Sequence, residues 1–326
     1  MSKPTAILQV VLDNPSKVFF SGEIITGLVK FQAEQQHKVQ LLAVNLNAEY
    51  YSIKNDQECV ELIYTETCPL DLRSAGEGNT EMPFSIVVRP DSPTSIASTI
   101  GGIKYRVVSI LLYKEGDRVQ RVEAAEYLSV NAQKQLTEEM GGQKVTAQEG
   151  WNLIPSCCGA IFVDFEVACA ALLCGHSAII NACITNGTSF HIQGTSVSLI
   201  QKMCRLRDKK IIKCTVATKE RGAILPGKRQ VWLSDRFLIP PLPPSGVDPY
   251  FKVSYKLIMV IQKTSTKGMR LKIPIVIGNL PRSKDTQSLS TQCSLGADIT
   301  DIVEGRCSNF SSDVHGFKPL YVSYIS

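Results

Sequence analysis

Apolar residues recur at every second position along much of the chain, and this period of two constrains the fold more than any other feature. From Phe251 to Ile261 every odd-numbered residue is apolar, whereas Lys252, Ser254 and Lys256 hold the first even positions. Successive side chains of a β-strand point to opposite faces, so the pattern predicts a half-buried antiparallel strand. Residues 271–277 repeat the pattern, with Pro274 on the opposite parity, which favours an edge or a bulge there.

Similar segments occur along the whole chain and predict an all-β fold. Further strand candidates lie at 7–12, 23–31, 39–51, 103–107, 119–130, 161–170, 178–185, 196–201, 211–218 and 230–233. Turn signals such as Asn186-Gly187 and Pro226-Gly227 separate them, and no 15-residue helical stripe appears. Strands every 10 to 15 residues, divided by such turns, are typical of β-sandwiches.

The length and the polar stretches predict two domains and a tail. A chain of 326 residues is long for a single core. The polar stretch 136–152 interrupts the strand rhythm, so we expect domains at 1–135 and 153–280 with this linker between them. Residues 281–326 are rich in Ser and Thr, which predicts a flexible C-terminal tail.

Charge is distributed unevenly. Between Lys202 and Lys272 there are 17 Lys and Arg against 4 Asp and Glu, a net charge of +13, whereas the remainder has 18 against 26, a net charge of −8. A basic region of this kind attracts anionic partners such as phosphopeptides, phosphoinositide headgroups or nucleic acid. A solvated face that only keeps the domain soluble is the alternative interpretation.

The cysteine count and the N-terminal sequence predict an intracellular, soluble protein. Eleven cysteines are an odd number, and the first residues contain no signal-peptide hydrophobic region. Buried free thiols are therefore expected rather than a disulfide framework. The most apolar stretch, 157–184, is interrupted by Asp164, Glu166 and His176, so no run of 18 uncharged apolar residues remains.

Three patterns resemble catalytic or ligand motifs, and none has the residues that the chemistry needs. Gly222 to Lys228 matches the spacing of a P-loop, but Arg229 replaces the magnesium-binding Ser or Thr and a strand is predicted to follow. Cys174, His176, Cys183 and His191 lack the usual spacing of zinc ligands. No local signature supports a hydrolase triad. We therefore predict no catalytic residue, no metal and no cofactor; a cleft joining Cys174, His176 and a carboxylate would restore the enzyme alternative.

The first half resembles the N-terminal domains of arrestins, especially α-arrestins (arrestin-domain-containing proteins). The similarity begins with a hydrophobic strand, an Asn-containing turn and a Gly-Glu pair at Gly22-Glu23, followed by Gly27 and Val29. A second block resembles the family pattern of Pro-Phe, Pro-x-Ser and Gly-x-x-Tyr-x-Val. Its matching residues are Pro83, Phe84, Pro93, Ser95, Gly102, Ile103, Tyr105 and Val107.

The second half resembles the arrestin C-terminal domain. The opening strand CCGAIFVDFEV and the block FLIPPLPPSGVDPYFKVSYKL are similar to the family in order and spacing. The resemblance implies two tandem immunoglobulin-type antiparallel sandwiches without an active site. It also implies an adaptor, cytoplasmic and peripheral to the plasma membrane and endosomes, that links receptors or transporters to endocytic and endosomal sorting.

Two departures from the family pattern affect the expected partners. α-Arrestins commonly recruit HECT-type ubiquitin ligases through Pro-Pro-x-Tyr motifs bound by WW domains. The nearest match here is Lys318-Pro319-Leu320-Tyr321, in which Lys318 replaces the first proline, so Pro319, Leu320 and Tyr321 form a degenerate candidate ligand. The alternative is that this segment packs back on the domains as a strand. The usual Tyr-x-Pro-Gly-Glu turn is also replaced by Leu173 to His176.

The basic region suggests a second type of contact. In arrestin relatives the C-terminal domain engages inositol phosphates or anionic membrane, and the candidates by clustering are Lys202, Arg205, Arg207, Lys209 and Lys210. Two alternative functions are a retromer-like sorting subunit and a phosphoreceptor-binding arrestin with a buried Asp/Arg core. A nucleic-acid-binding protein is a third alternative and agrees less well with the sequence. Nucleic-acid binding would depend steeply on salt and be indifferent to phosphoinositides.

Overall fold

The computed structural model describes residues 6–33, 38–55, 57–71, 79–137, 145–152, 159–263, 268–281 and 317–324. These residues form β-strands, turns and irregular segments without a helix, which confirms the all-β prediction. They accordingly include no helix able to cross a bilayer. The chain divides into a first unit, Met1–Gln133 with Ser311–Tyr321, and a second unit, Lys134–Phe310 with Val322–Ser326.

The described residues of the first unit form two sheets built from eight strands. They are β1 (Ala6–Leu12), β2 (Val18–Phe20), β3 (Ile24–Ala33), β4 (Lys38–Lys54), β5 (Gln57–Pro69), β6 (Asn79–Val87), β7 (Gly101–Glu115) and β8 (Arg118–Asn131). One sheet has the order β1-β3-β6 and the other has the order β2-β8-β7-β4-β5. All pairs are antiparallel except β2 with β8.

Alternation along each strand builds the core of the first unit. On β4, Leu42, Val44 and Leu46 are fully buried, and on β3 Ile25 and Val29 are also fully buried. Complete burial of an aliphatic side chain of this size contributes about 1.5 to 3 kcal/mol. The period of two in the sequence therefore corresponds to an inner and an outer face in each sheet.

In the second unit, the part of the chain that the structure describes forms ten strands in two sheets. They are β9 (Val145–Asn152), β10 (Ala160–Val167), β11 (Ala171–Leu173), β12 (Ser177–Asn186), β13 (Ile192–Arg205), β14 (Lys210–Arg221), β15 (Arg229–Leu238), β16 (Gly246–Val247), β17 (Phe251–Lys263) and β18 (Met269–Gly278). One sheet has the order β15-β12-β10-β9, and the other has the order β11-β18-β17-β13-β14 with β16 paired to β17.

The β17 strand has the predicted faces. Phe251, Leu257 and Met259 are fully buried, whereas Lys252 and Lys256 are exposed. Pro274 of β18 lies opposite Lys256, at a point where the other neighbour, β11, has not yet begun to pair. That edge position explains how a residue without an N–H is tolerated in the strand, as the sequence predicted.

The two units share a local architecture, with equivalent residues separated by 147 to 153 positions. In the first unit the Ser95 N–H donates to the Val130 carbonyl oxygen (2.7 Å), and the Val130 N–H donates to Ser95 Oγ (2.8 Å). In the second unit Ser245 makes the same pair of bonds with Ile277, at 2.7 and 2.9 Å. In each unit a short strand, β2 or β11, also pairs in parallel with the last long strand.

The chain departs from the expected boundaries in two places. Within the expected linker 136–152, Val145–Asn152 forms β9 and pairs along its whole length with β10. An edge strand of one sheet needs few apolar residues, which explains why its polar sequence indicates a linker. Within the expected flexible tail, residues 317–324 are packed, with Phe317, Val322 and Tyr324 buried; residues 282–316 lie outside the described ranges.

Candidate functional site

The outer face of the β13–β14–β17–β18 sheet carries a group of cations that the sequence order does not reveal. Lys202 on β13 lies directly opposite Lys213 on β14 and opposite Ser254 on β17. Lys256 lies opposite Ile200, and Lys272 lies opposite Ile258. We call the outward cations of this sheet the basic face. Its members are Lys202, Lys213, Lys252, Lys256, Arg270 and Lys272.

These cations are available to an outside partner. Five of them are exposed and Lys202 is half-buried. Within the described ranges none of the six forms an ion pair. Like charges directly opposite each other in a sheet are destabilising, and Lys202 and Lys213 form such a pair. Repulsion of this kind, with no ion pair to an acidic side chain in the described ranges to offset it, is typical of a surface used for binding.

Apolar side chains lie between the cations. Ile200, Ile258 and Val260 are half-buried on this face, and Ile211 is 48% exposed. Glu220, opposite Ser196, contributes one negative charge at the far end of β14. The surface thus combines positive charge with apolar contact area.

The turn from β13 to β14, with the strand residues that flank it, contains four of the five predicted anion contacts. The Arg205 side chain is only 2% exposed, and its Nε donates to Asp208 Oδ1 (2.9 Å) while its Nη2 donates to Oδ2 (2.5 Å). This bidentate pair holds the pKa of the Asp208 carboxyl well below its usual range, chiefly through the hydrogen bond from Arg205. Arg205 therefore organises the loop and is not exposed to an external anion.

The other predicted residues reach the surface. Arg207, Lys209 and Lys210 are exposed, and Lys209 has a left-handed φ of 56° at the tip of the turn. Asp208, the acid of this loop, is engaged by Arg205, so its charge is directed to Arg205 and not to Lys209 or the Lys210 side chain. Clustering in sequence identified these residues and Lys202, whereas the other five members of the basic face could be found only from strand parity and register.

The candidate WW ligand is packed against the first unit. The Leu320 N–H donates to Ser129 Oγ (2.8 Å), and Asn131 Nδ2 donates to the Leu320 carbonyl oxygen (3.2 Å). The Tyr321 hydroxyl donates to the Ser95 carbonyl oxygen (3.1 Å). The Phe317 ring lies 5.6 Å from the Tyr127 ring between centroids. Tyr321 is 7% exposed, whereas Lys318 is exposed and Pro319 is half-buried.

The residues that follow pack within the second unit. The Tyr324 N–H donates to the Cys174 carbonyl oxygen (2.9 Å), and its hydroxyl donates to the Asn279 carbonyl oxygen (2.8 Å). Gly175 has a φ of 87°, and a Cβ at this position would lie 1.9 Å from the Tyr324 carbonyl oxygen. Glycine is therefore required there both by backbone conformation and by close approach.

The cysteine and histidine positions considered as ligands have structural surroundings. Cys174 is fully buried, where its Sγ donates to the Leu242 carbonyl oxygen (3.5 Å) and accepts the Leu242 N–H (3.3 Å). Burial raises the pKa of this thiol to about 12. No group of three His, Cys, Asp or Glu side chains suited to a metal occurs among the residues that the structure describes.

The P-loop-like stretch is a turn between strands, as predicted. Gly222 to Lys228 links β14 to β15, and Gly227 adopts a φ of 68°. The Gly227 N–H donates to the Asn186 carbonyl oxygen (2.8 Å), so it is directed into the fold. The strand that follows cannot supply the helix N-terminus on which phosphate binding depends.

Comparison with known proteins agrees with this architecture. Residues 158–282, which contain β10 to β18, match the family model for the arrestin (or S-antigen) C-terminal domain. Arrestin domain-containing protein 17 of Caenorhabditis elegans is 19% identical over 316 residues, covering 84% of this chain and 70% of the worm protein. The fold and these similarities support an arrestin-domain-containing protein, with the family match lying in the second unit. The similarity to arrestin domains indicates an arrestin-like adaptor role.

Proposed function

We propose that this protein is an adaptor that links membrane cargo, receptors or transporters, to endocytic and endosomal sorting. The basic face is the observation that supports the membrane side of this proposal. Six cations on one sheet surface, interspersed with apolar side chains, are complementary to the anionic lipids of a cytoplasmic leaflet. Arg207, Lys209 and Lys210 at the adjoining turn extend the same charge.

Vesicle binding with charge-reversal variants tests this contact. We expect the full chain to sediment with phosphatidylcholine vesicles containing phosphatidylserine or a phosphoinositide, and not with phosphatidylcholine alone. The triple variant Lys202→Glu, Lys213→Glu, Lys256→Glu should bind at least tenfold more weakly, since each basic residue near such a surface contributes about 1 kcal/mol. The matched control is Lys228→Glu, Arg229→Glu, Arg236→Glu, which changes three exposed cations on β15 and the turn before it by the same net charge.

The outcomes separate the competing ligands. Equal losses for the two triple variants would mean that net charge alone attracts the protein, and undiminished binding by the first would remove the basic face as a membrane contact. Binding of soluble inositol hexakisphosphate without vesicle binding would point to a free polyphosphate. Tight binding to duplex DNA with a steep salt dependence and no response to vesicles would favour the nucleic-acid alternative.

Cargo recognition is proposed for the open edge of β5. This strand ends its sheet, and the side chains from Gln57 to Leu62 are mostly exposed, with Val60 at 49% and Leu62 at 60%. An exposed strand edge can bind an extended segment of a partner through main-chain hydrogen bonds. Replacing Val60 with Pro should abolish cargo pull-down without affecting vesicle binding; pull-down unchanged by this variant would contradict a role for this edge.

Recruitment of a HECT-type ubiquitin ligase is proposed through Pro319, Leu320 and Tyr321. A WW domain binds a proline wedge and a tyrosine in two adjacent pockets, and Lys318 lacks one ring of that wedge. We expect a peptide of residues 311–326 to bind WW domains about tenfold more weakly than a complete Pro-Pro-x-Tyr peptide, a loss of about 1.4 kcal/mol. A Pro319→Ala, Tyr321→Ala peptide should not bind; equal binding by both peptides, or by neither, would remove the ligase from the proposal.

A further inference from the structure

The end of β8 and the turn before β7 together bind residues 317–321, in the way that a protein binds a peptide ligand. We call the group of Ser95, Tyr127, Ser129 and Asn131 the β8-end site. Three of its contacts are hydrogen bonds to the segment, and the fourth is the ring contact with Phe317. The bound residues are 186 or more positions away in sequence from β8, and residues 282–316, outside the described ranges, connect them to β18.

The contacts indicate which sequence this site accepts. Main-chain groups of Leu320 are bound by Ser129 and Asn131, so that position is read through its backbone. Phe317 and Tyr321 are read through their side chains, and both are buried. Lys318, between them, is exposed. The site thus recognises two buried aromatic side chains four positions apart and binds the main chain of the residue before the second one.

Binding at this site and binding to a WW domain require the same atoms. A WW domain must surround the Tyr321 ring and the Pro319 ring, but Tyr321 is 7% exposed and its hydroxyl is engaged by the Ser95 carbonyl oxygen. The segment cannot satisfy both partners at once. We propose that the β8-end site is an internal peptide-recognition site that keeps the Pro319–Tyr321 ligand from WW domains until the segment detaches.

The biological consequence of this inference rests on the proposed ligase contact. The binding of residues 317–321 at the β8-end site does not depend on that contact. When a ligand is exposed only in a minor population, its apparent dissociation constant increases by the inverse of that fraction. Variants that weaken the β8-end site should therefore strengthen WW binding without any change in the ligand sequence. If the β8-end site instead helped to bind the WW domain, the same variants would weaken WW binding.

The experiment uses Lys318→Pro, which completes the Pro-Pro-x-Tyr pattern and makes the test independent of whether the native sequence is a good WW ligand. Lys318 is exposed, and hydrogen exchange at 317–324 in the Lys318→Pro chain checks that the segment remains docked. A single HECT-ligase WW domain is titrated against the Lys318→Pro peptide of residues 311–326 and against the full chain carrying the same substitution. We expect binding to the full chain to be at least tenfold weaker than to the peptide.

Site variants and a matched control complete the test. Tyr127→Ala and Ser129→Ala, each combined with Lys318→Pro in the full chain, should recover most of the lost affinity. Val119→Ala, an exposed position on the same strand, should recover none. Hydrogen exchange provides a readout without any WW domain: peptides covering 317–324 should be protected in the wild-type chain and exchange faster in Tyr127→Ala and Ser129→Ala, but not in Val119→Ala.

The results distinguish failure of this inference from failure of the ligase contact. Equal affinity of the WW domain for the Lys318→Pro peptide and the Lys318→Pro full chain would overturn the inference, as would unprotected exchange at 317–324. Failure of the native peptide to bind any WW domain would remove the proposed ligase recruitment alone. In that case protected exchange, together with masking of the Lys318→Pro ligand, would still establish the internal site.

Discussion

Tyr105 and Tyr255 occupy equivalent places in the two units, each anchoring a loop from a long central strand. The Tyr105 hydroxyl donates to the Pro93 carbonyl oxygen (2.7 Å), and the Tyr255 hydroxyl donates to the Pro243 carbonyl oxygen (2.6 Å). In both cases the acceptor lies 12 residues earlier, and both tyrosines are buried. The repeated bond fixes the Pro-x-Ser turn that precedes β7 in one unit and the corresponding turn in the other.

Removing either hydroxyl should destabilise its own unit. Tyr105→Phe leaves the Pro93 carbonyl without this donor in a buried environment, which should cost about 1 to 3 kcal/mol. Tyr255→Phe should cost more, because the Tyr255 oxygen also accepts a hydrogen bond from Gln201 Nε2 (2.8 Å). Urea unfolding of the full chain measures the change, with Tyr127→Phe, at an exposed tyrosine, as the control. Unchanged midpoints for both core variants would show that these bonds contribute no net stability.

Charge reversal at Lys213 should have opposite effects on stability and on binding. Lys213→Glu replaces the repulsion with Lys202 by attraction across β13 and β14, so we expect a gain in stability of about 0.2 to 1 kcal/mol. The same substitution should weaken vesicle binding. Thermal unfolding and vesicle sedimentation are to be measured on the same preparation.

A matched substitution separates this pairwise effect from the change in net charge. Lys228→Glu alters an exposed cation in the turn before β15, which has no cationic partner across a strand pair. It should leave stability within about 0.5 kcal/mol of the wild type. A loss of stability in Lys213→Glu would indicate that the basic face is not under electrostatic repulsion.

The sequence predicts the strands of this protein better than it predicts its surfaces. Alternation from Phe251 to Ile261 is visible in the chain and corresponds to β17, because side-chain direction follows strand parity directly. The pairing of Lys202 with Lys213 depends on the register of β13 with β14, including a bulge between Leu199 and Ile200, which no local pattern encodes.

The contact between Tyr321 and Ser95 also could not be predicted from the sequence. Its contact with Ser95 joins residues 226 positions apart, and a short Phe-x-Pro-x-Tyr segment has no periodicity from which a partner could be inferred. Arg205 illustrates the same difficulty for charge. Its basic neighbours indicated an anion contact, but the geometry of Asp208 makes it the internal partner of a loop.

The Arg205–Asp208 pair should make the stability of the second unit depend on pH in the acid range. The carboxyl has a folded-state pKa below its usual value of 3.8, so its contribution is present above about pH 4 and is lost as the pH falls toward the folded value. Asp208→Asn should cost roughly 1 to 2 kcal/mol at pH 7, less than for a fully buried pair because Asp208 is 39% exposed.

Urea unfolding at pH 7, 4 and 3 checks this dependence. The stability difference between wild type and Asp208→Asn should be largest at pH 7 and should shrink at pH 3. Asp164→Asn, at an exposed position on β10, is the control and should show no such trend. A difference that stays constant across this range would assign the loss to packing instead of charge.

The buried thiol of Cys174 should be unreactive in the folded protein. Burial raises its pKa to about 12, so the thiolate that reacts with alkylating reagents is nearly absent at pH 8. Brief treatment with iodoacetamide followed by mass spectrometry should label the exposed Cys59 and leave Cys174 unmodified until the chain is unfolded in urea. Native labelling of Cys174 as fast as Cys59 would contradict its burial.

Gly175 and Gly22 provide a matched pair that isolates the packing of Tyr324. Their φ values are 87° and 89°, so alanine introduces the same backbone strain of roughly 1 kcal/mol or more at either position. A Cβ at Gly22 meets nothing within 4 Å, whereas at Gly175 it would lie 1.9 Å from the Tyr324 carbonyl oxygen. Gly175→Ala should therefore accelerate amide exchange at Tyr324, whose N–H is bound by Cys174, and Gly22→Ala should not. Equal exchange in the two variants would mean that the last residues tolerate displacement from Gly175 without losing their hydrogen bonds.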